Sequence, residues 1–362
     1  MGSKLTIQDI ARLAGVSKAT VSRVLNQKSN VDPATRERVL RVINEKRFVP
    51  SITASGLAGG RSRLIGLLTP PLTWPTISEI MHGVAEAIER SSYEIVLYSI
   101  GQARDHSDIL DRILDMRLTS GLIAILPGQL GEHLVDLYEQ GLPIVEIDDQ
   151  EPLTPMPWVG IDNYESAYQA TLHLIRLGHR RIAHIQGPSD FRCSRERQQG
   201  YCQALLDQGL VPDPELVLQG SFEITGGRIC ANAIFSMSTD ERPSAIFVGN
   251  DQMAFGVLAI AEQHGIRVPE DVAVIGFDDI PLSAHMRPAL TTMRQPFHEI
   301  GKTAVELLLS LVDPQFSDAE AEHVQPFPST GVMEPVRFYL PTHLVVRESC
   351  GSSQRISMSE GS

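Results

Sequence analysis

Thr6 to Asn26 reads Thr-Ile-Gln-Asp-Ile-Ala-Arg-Leu-Ala-Gly-Val-Ser-Lys-Ala-Thr-Val-Ser-Arg-Val-Leu-Asn, and this run commits the chain to two short helices joined by a tight turn. Thr6 is a hydroxyl N-cap, and Asp9 closes the first turn, where a carboxylate suits the positive end of a helix. Ile7, Ile10, Ala11 and Ala14 recur at helical spacing and give one inward face. Gly15 supplies the backbone freedom for the turn, Ser17 is placed to cap the second helix, and Val21 and Leu25 anchor that helix four residues apart. Lys18, Ala19, Thr20, Ser22, Arg23 and Asn26 then face outward, a surface of cations and hydroxyls with no acid. Such a face suits base edges and phosphates. Asp32-Pro33 opens a third helix, as a carboxylate cap followed by proline in the first helical position, and that helix carries Val39, Leu40 and Ile43.

Three-helix subdomains also occur in proteins that never touch DNA, and charge separates the two readings. Residues 1–63 hold twelve Lys or Arg against four Asp or Glu, whereas the whole chain carries a formal charge of −13. A basic head on an acidic body implies a polyanionic partner at one end only.

After the third helix comes Pro50-Ser-Ile-Thr-Ala-Ser-Gly-Leu-Ala-Gly-Gly-Arg-Ser62. Together with Thr6 to Asn26 this resembles the LacI/GalR family of bacterial transcription regulators. The resemblance implies a hinge that becomes a short helix only on operator DNA, where paired hinges of a dimer insert a leucine into the minor groove. Leu57 and Ala58 hold the matching positions, and an apolar wedge that unstacks a base step is repaid by added protein contact. Without DNA, Gly56, Gly59 and Gly60 favour a flexible linker. The chain departs from many relatives in placing Ser55 and Gly56 before the leucine, in place of an arginine and a serine. Glycine costs about 1 kcal/mol in a helix interior relative to alanine, so Gly56→Ala is expected to tighten operator binding, as measured by titration at fixed salt.

At 362 residues and 42% hydrophobic content, the chain is long enough for a head and a sizeable body. Cys193, Cys202, Cys230 and Cys350 show neither metal spacing nor a disulfide framework, which points to a reducing compartment. No apolar run approaches a membrane span, and the N-terminus reads as a capped helix rather than an export signal, so a cytoplasmic, nucleoid-associated protein is expected. From Leu64 onward, short β-rich runs alternate with helical stretches, the pattern of parallel sheets built from strand-helix-strand units. Leu64–Thr69, Glu94–Tyr98, Gly121–Leu126 and Pro143–Ile147 form one set. Arg181–Ile185, Ala245–Val248 and Val272–Phe277 form another. Ile77, Met81, Val84, Ala85 and Ile88 give the core face of the helix after the first strand. Two sheets suggest two lobes, with loops at the carboxyl ends of the strands lining a cleft.

The family resemblance extends across nearly the whole chain through Gly178–Ala183, Arg197–Tyr201, Asn250–Ala254, Gly276–Ile280 and Leu290–Pro296. It implies a two-lobed α/β, periplasmic-binding-protein-like body with parallel sheets behind the all-α helix-turn-helix head. The chain is then expected to pass between lobes near Asp162, near Thr292 and within 318–335. The corresponding boundaries are a head at 1–48, a hinge at 49–63 and a body at 64–348. Lobe one takes about 64–162 and 293–325, lobe two about 163–292 and 326–348, and 349–362 forms a disordered Ser- and Gly-rich tail. Pro314 to Val336 reads as an acidic surface loop longer than the usual connection to a final strand near Val336 to Val346. By the same resemblance, Arg197, Asp278, Asn250 and Phe222 line the effector cleft, with Trp74 and Asp148 in corresponding loops of the first lobe.

Amides, a carboxylate, an arginine and aromatic faces suit a sugar, and purines and nucleosides remain alternatives within the same fold. The expected protein is a homodimeric repressor of carbohydrate genes on a pseudo-palindromic operator, needing no cofactor or metal. Lys18 and Arg23 are the base-reading candidates and Ala19 is available for an apolar contact, while Thr6, Ser17, Thr20, Ser22 and Asn26 meet phosphates. A sugar-transport receptor shares the body but would lack residues 1–62 and carry an export signal. Enzyme readings fail at the sequence: 56–60 lacks the phosphate-loop lysine, Gly226-Gly227 is not a dinucleotide turn, and no nucleophile, base and oxyanion set appears. His173, His179 and His184 run from a helix end into a strand and read as satisfied structural histidines.

Overall fold

The computed structural model describes residues 5–25, 30–46, 48, 62–100, 113, 118–126, 130–148, 154–313 and 336–352. Asn26, the hinge with Gly56, Leu57 and Ala58, the 314–335 stretch and the chain after Ser352 lie outside the described residues.

The head is built by its caps. Helix α1 (Ile7–Ala14) starts at Thr6, whose side chain accepts from Asp9 N–H while the Asp9 carboxylate accepts from Thr6 N–H, a reciprocal capping box. It ends at Gly15, held at φ 64°, a left-handed conformation that glycine reaches without strain. Helix α2 (Lys18–Leu25) begins where Ser17 Oγ accepts from Thr20 N–H at 3.1 Å. Helix α3 (Pro33–Glu45) begins at Asp32, which accepts from Thr35 N–H. Ile10, Ala11, Ala14, Val21, Val24, Val31, Val39 and Phe48 form the small core. Two residues depart from the expected packing. Val24 is buried while Leu25 is only partly so, and Leu40 is exposed, because the inward stripe of α3 runs from Val39 to Val42 and Ile43.

The body carries two six-stranded sheets. In the first, β1 (Leu64–Thr69), β2 (Glu94–Ser99), β3 (Gly121–Ile125), β4 (Ile144–Ile147) and β5 (Trp158–Gly160) are joined by an edge strand, β11 (Arg337–Tyr339), and all pairings are parallel. In the second, β6 (Ile182–Gln186), β7 (Val217–Gln219), β8 (Ala245–Val248), β9 (Ala273–Asp278) and β10 (Thr291–Arg294) are parallel, and β12 (His343–Val345) pairs antiparallel with β10. Helices α4 (Pro75–Glu89), α5 (Gly131–Glu139) and α10 (Phe297–Val312) belong with the first sheet. Helices α6 (Asn163–Arg176), α7 (Arg192–Asp207), α8 (Ile224–Phe235) and α9 (Asp251–Gln263) belong with the second. β5, β7 and β10 escape the sequence pattern, and the first two are only three residues long, too short to show a period.

The chain passes between the sheets at 161–162, 295–296 and 340–342. The second passage lies beyond the expected Thr292, because Thr291–Arg294 is hydrogen-bonded to β9 and belongs to lobe two. The third lies beyond 318–335, because the expected single final strand is two: β11 completes the first sheet and β12 the second. Ser349 and Cys350 do not belong to the expected tail. Ser349 and Cys350 are buried, and Ser349 Oγ donates to Val274 O and accepts from Thr291 N–H, which fastens this segment to lobe two.

The buried face of α4 is Ile77, Ile80, Gly83, Val84, Ala87 and Ile88. Ala85 is exposed and Met81 half-buried, a turn of the expected stripe toward Ile80 and Ala87. Gly83 and Gly301 let α4 and α10 meet backbone to backbone: a Cβ on Gly83 would stand 1.9 Å from His298 O, and one on Gly301 2.2 Å from Ile80 O. Gly83→Ala is therefore expected to cost about 1–3 kcal/mol through overpacking. A thermal melt reads this at roughly 2–4 °C per kcal/mol.

Candidate ligand cavity and DNA-facing helix

A cavity of about 430 Å³ lies between the lobes at the carboxyl ends of both sheets, and Trp74, Asp148, Arg197, Phe222, Asn250 and Asp278 all line it. Its size falls within the range that holds small ligands. Backbone strain gathers at its walls. Leu126, Asp148, Phe222 and Asp278 all hold positive φ and all line the cavity, which leaves Asp279 as the one further non-glycine residue of this kind among those described. Non-glycine residues in this region cost of order 1–3 kcal/mol each and cluster where the surroundings fix them for a purpose.

Arg197 is buried on α7. Its Nε donates to Asn163 Oδ1 at 2.9 Å, Nη1 donates to Gly249 O at 2.6 Å, and its guanidinium carbon lies 3.7 Å from the Phe277 ring centroid. Held so, it lines the cavity. Asp278 ends β9, and its Oδ1 accepts from Gln295 Nε2 at 2.7 Å. Burial pushes its carboxyl up to about 7, against the Arg197 charge and the Gln295 bond, with Asp148 adding to the rise. Behind it, Asp251 accepts from Ser283 and Thr292 hydroxyls and from Ile280 N–H, and burial with the neighbouring Asp278 charge pushes it up to about 8.

Asn250 differs from its expected role as an open donor and acceptor. Its Oδ1 caps α9 by accepting from Met253 N–H, and its Nδ2 donates to Phe222 O at 2.9 Å. It therefore supports Phe222, whose ring meets Phe191 edge to face with centroids 5.6 Å apart. Two further wall residues carry no signal of their own in the sequence: Gln295, at the end of the run 290–296, and Gln252, within 250–254. Gln295 Oε1 and Asp148 Oδ1 are buried acceptors without a hydrogen-bond partner. Each costs about 1–3 kcal/mol unsatisfied, and both belong to residues that line the cavity.

The residue after Asp278 is tied to the second passage between lobes and to the segment after β12. Asp279 accepts from Arg294 Nε at 2.6 Å, and Arg347 Nη2 lies 2.6 Å from its other oxygen. The three histidines read as structural take separate partners: His173 meets Ser352 Oγ, His179 meets Ser244 Oγ, and His184 meets Phe247 O through Nδ1. His184 is also stacked between Tyr201 and Phe247, and burial beside Arg197 brings its ring down to about 4, so it is neutral. It departs from full satisfaction in one respect, because its Nε2 is buried without a partner.

In the head, Lys18, Ala19 and Arg23 are exposed on α2 and Ser22 is half-buried. Ser17 and Thr20 hydroxyls lie 2.9 Å apart and share the cap. The Thr6 hydroxyl donates to Asp9 at 2.8 Å, and Asp9 also pairs with Arg12. Among the described residues the cations of α2 thus take no ion-pair partner, whereas three of the expected phosphate-contacting hydroxyls already serve helix ends.

A helix-turn-helix head joined to a two-lobed body with a cavity at the lobe junction defines a DNA-binding regulator with a ligand-binding body. Residues 6–51 match the bacterial regulatory proteins of the lacI family, and residues 171–350 match a periplasmic binding protein-like domain. The chain is 37% identical over 324 residues to the HTH-type transcriptional repressor PurR of Aliivibrio fischeri, covering 89% of this chain and 96% of that one. Among solved structures, a transcriptional regulator CelR–cellobiose complex matches with TM-score 0.70 and 32% identity, over 95% of this chain and 99% of that one. The lac repressor dimer bound to operator and the anti-inducer ONPF matches with TM-score 0.80 and 29% identity, over 96% and 99%. The chain belongs to the LacI family of bacterial regulatory proteins. It is a regulator of transcription and not an enzyme. Among the described residues, no helix is long and apolar enough to cross a membrane.

Proposed function

We propose that this protein is a homodimeric repressor of carbohydrate-utilisation genes in the bacterial cytoplasm, whose grip on a pseudo-palindromic operator is set by a sugar in the interlobe cavity. The observation that carries the sugar is the set of acceptors at the walls. Asp278 brings acceptor oxygens to the wall beside Gln295 and Asp148, Arg197 supplies a donor, and Trp74 and Phe222 offer apolar faces. Sugars present neighbouring hydroxyls around apolar CH faces and satisfy all of these at once. The cellobiose held by the CelR relative agrees with this reading. Lys18 and Arg23 read bases, Ala19 gives an apolar contact, and Thr6, Ser17, Thr20, Ser22 and Asn26 meet phosphates, while Leu57 and Ala58 wedge the operator centre. A sugar that draws Asp278 also moves Asp279, and with it Arg294 beside the second passage between lobes and Arg347 after β12. By linkage, the operator changes sugar affinity by the factor with which sugar changes operator affinity.

The test is a thermal-shift screen of the full chain against mono- and disaccharides, sugar phosphates, purines and nucleosides. A ligand at about 100 times its Kd stabilises by about 2.7 kcal/mol. A sugar is expected to raise Tm by several degrees and to change operator affinity. A response confined to purines or nucleosides would replace the carbohydrate reading.

A further inference from the structure

Of the passages between the lobes, the first (161–162) and the third (340–342) run as a pair. Strands β5 and β11 are parallel neighbours at the edge of the first sheet, with Tyr339 beside Gly160, so both passages leave lobe one side by side and in the same direction. At the lobe-one end, Leu340 N–H donates to Gly160 O at 2.8 Å and ties them by their backbones. At the lobe-two end they are tied again, by side chains. Ser166, at the end of the first turn of α6, donates its hydroxyl to Asp162 O, and the Thr342 hydroxyl lies 2.8 Å from Ser166 Oγ. A serine hydroxyl has one hydrogen, and here the carbonyl takes it, so Thr342 is the donor to Ser166. Ser166 is buried and Thr342 half-buried, which limits competition from water.

The second passage (295–296) is fastened differently. Gln295 donates to Asp278 from both its backbone and its side-chain amide, and the chain then enters α10. The turn that carries Ser166 also holds a residue of the cavity. Asn163, next to Asp162 and itself buried, accepts from Arg197 Nε at 2.9 Å, and Arg197 lines the cavity. Direct bonds and adjacent residues therefore lead from Arg197 through Asn163 and Asp162 to Ser166 and Thr342, that is, from the cavity wall to the first and third passages together. Both passages end in lobe one, whose first strand, β1, follows the hinge to the head.

We infer that Ser166 and Thr342 are positioning residues of the response to effector: their hydroxyl pair staples the first and third passages into one strap, which a ligand on Arg197 displaces as a unit through Asn163. This rests on the interlobe cavity being the effector site and adds how that site is joined to lobe one. Interlobe motion is absorbed by a few residues at the ends of elements. Two parallel tethers tied at both ends turn about one line, whereas tethers tied at one end twist separately and lose part of the displacement between the lobes. The staple thus acts on the transmission of binding rather than on binding itself, since neither hydroxyl belongs to the cavity wall.

Ser166→Ala and Thr342→Val each remove one hydroxyl with little change of shape, while Thr342→Ser keeps it. Operator binding of each variant reports that it is folded. Hydrogen exchange of the ligand-free full chain is read first, by mass spectrometry. Loss of one such bond raises local opening about threefold to tenfold. Peptides covering 160–166 and 338–346 are expected to exchange faster by that factor in both removal variants and at the wild-type rate in Thr342→Ser. Operator affinity is then titrated with and without glucose, galactose, cellobiose, maltose and lactose, taking the sugar with the largest effect on wild type. The factor by which that sugar changes operator affinity is expected to fall about threefold or more in the removal variants, with sugar affinity of the free protein within about twofold, and to recover in Thr342→Ser. Faster exchange in one passage alone, or in neither, would overturn the strap. So would a coupling factor unchanged in the removal variants, or lost equally in Thr342→Ser. If no sugar acts on wild type, the carbohydrate reading fails and the exchange rates decide on the strap by themselves.

Discussion

Asp278→Asn is expected to weaken effector binding from tenfold to more than a hundredfold while operator affinity without effector stays within about twofold, since hydrogen bonds to a charged group contribute about 1.5–3 kcal/mol each. The substitution keeps size, and asparagine tolerates positive φ, so the backbone at φ 114° is undisturbed. The new side chain can still accept from Gln295 through its oxygen, but it turns the acceptor facing the cavity into a donor. The same residue gives the response a pH dependence. Burial places its carboxyl at about 7, and only the ionised form accepts from two hydroxyls. Sugar affinity should therefore fall as pH drops below about 7, approaching tenfold per unit, and this slope should vanish in the asparagine variant. Stability runs the other way. A carboxyl raised in the fold from its ordinary 3.8 stabilises the native state on the acid side, and that contribution is lost as pH rises through about 7. Titration calorimetry and thermal melts across this window separate the two effects. Equal loss of operator and effector binding in the variant would mark a folding defect and remove Asp278 from the site.

The parts of this molecule legible in the sequence are those whose physics is local. The caps at Thr6, Ser17 and Asp32 each need only a hydroxyl or carboxylate a few residues from an amide, and each appears at its expected position. Strands buried on both faces announce themselves as apolar runs, as at Leu64–Thr69 and Ala245–Val248. What the sequence hid is what depends on distant partners. The final strand expected near Val336 to Val346 is divided in two because β5 offers an edge to Arg337–Tyr339 and β10 offers one to His343–Val345. Both are three residues long and carry no period of their own. Asn250 illustrates the same limit at the site. Its position in the cavity wall is readable, yet its bonds go to Met253 and Phe222, and only the fold shows that its amide is committed. Gln295 shows the converse: an ordinary residue at a passage between lobes becomes a wall of the cavity because Asp278 and the passage meet there.

Arg23→Ala tests the other end of the molecule. Arg23 is exposed on α2 with no salt bridge among the described residues, whereas Ser17 and Thr20 at the start of the same helix bind each other at the cap. A guanidinium clear of intramolecular acids can form the bidentate contact to guanine O6 and N7 that gives about 1–3 kcal/mol of discrimination. In a homodimer on a two-fold operator the loss applies in both half-sites, so about 2–6 kcal/mol of operator affinity is at stake. The preference at one base pair in each half should relax at the same time. A phosphate contact predicts something different: weakening shared by all sequences, and a salt slope shallower by about one for each phosphate that is no longer neutralised. Operators altered in one half-site decide between the two. If Arg23 reads a base, the altered half-site costs wild type several-fold in affinity and costs the Ala variant nothing further. If every operator weakens in parallel, the reading role passes to Lys18, which shares the exposed face and lies in the first turn, where helices of this class meet base edges.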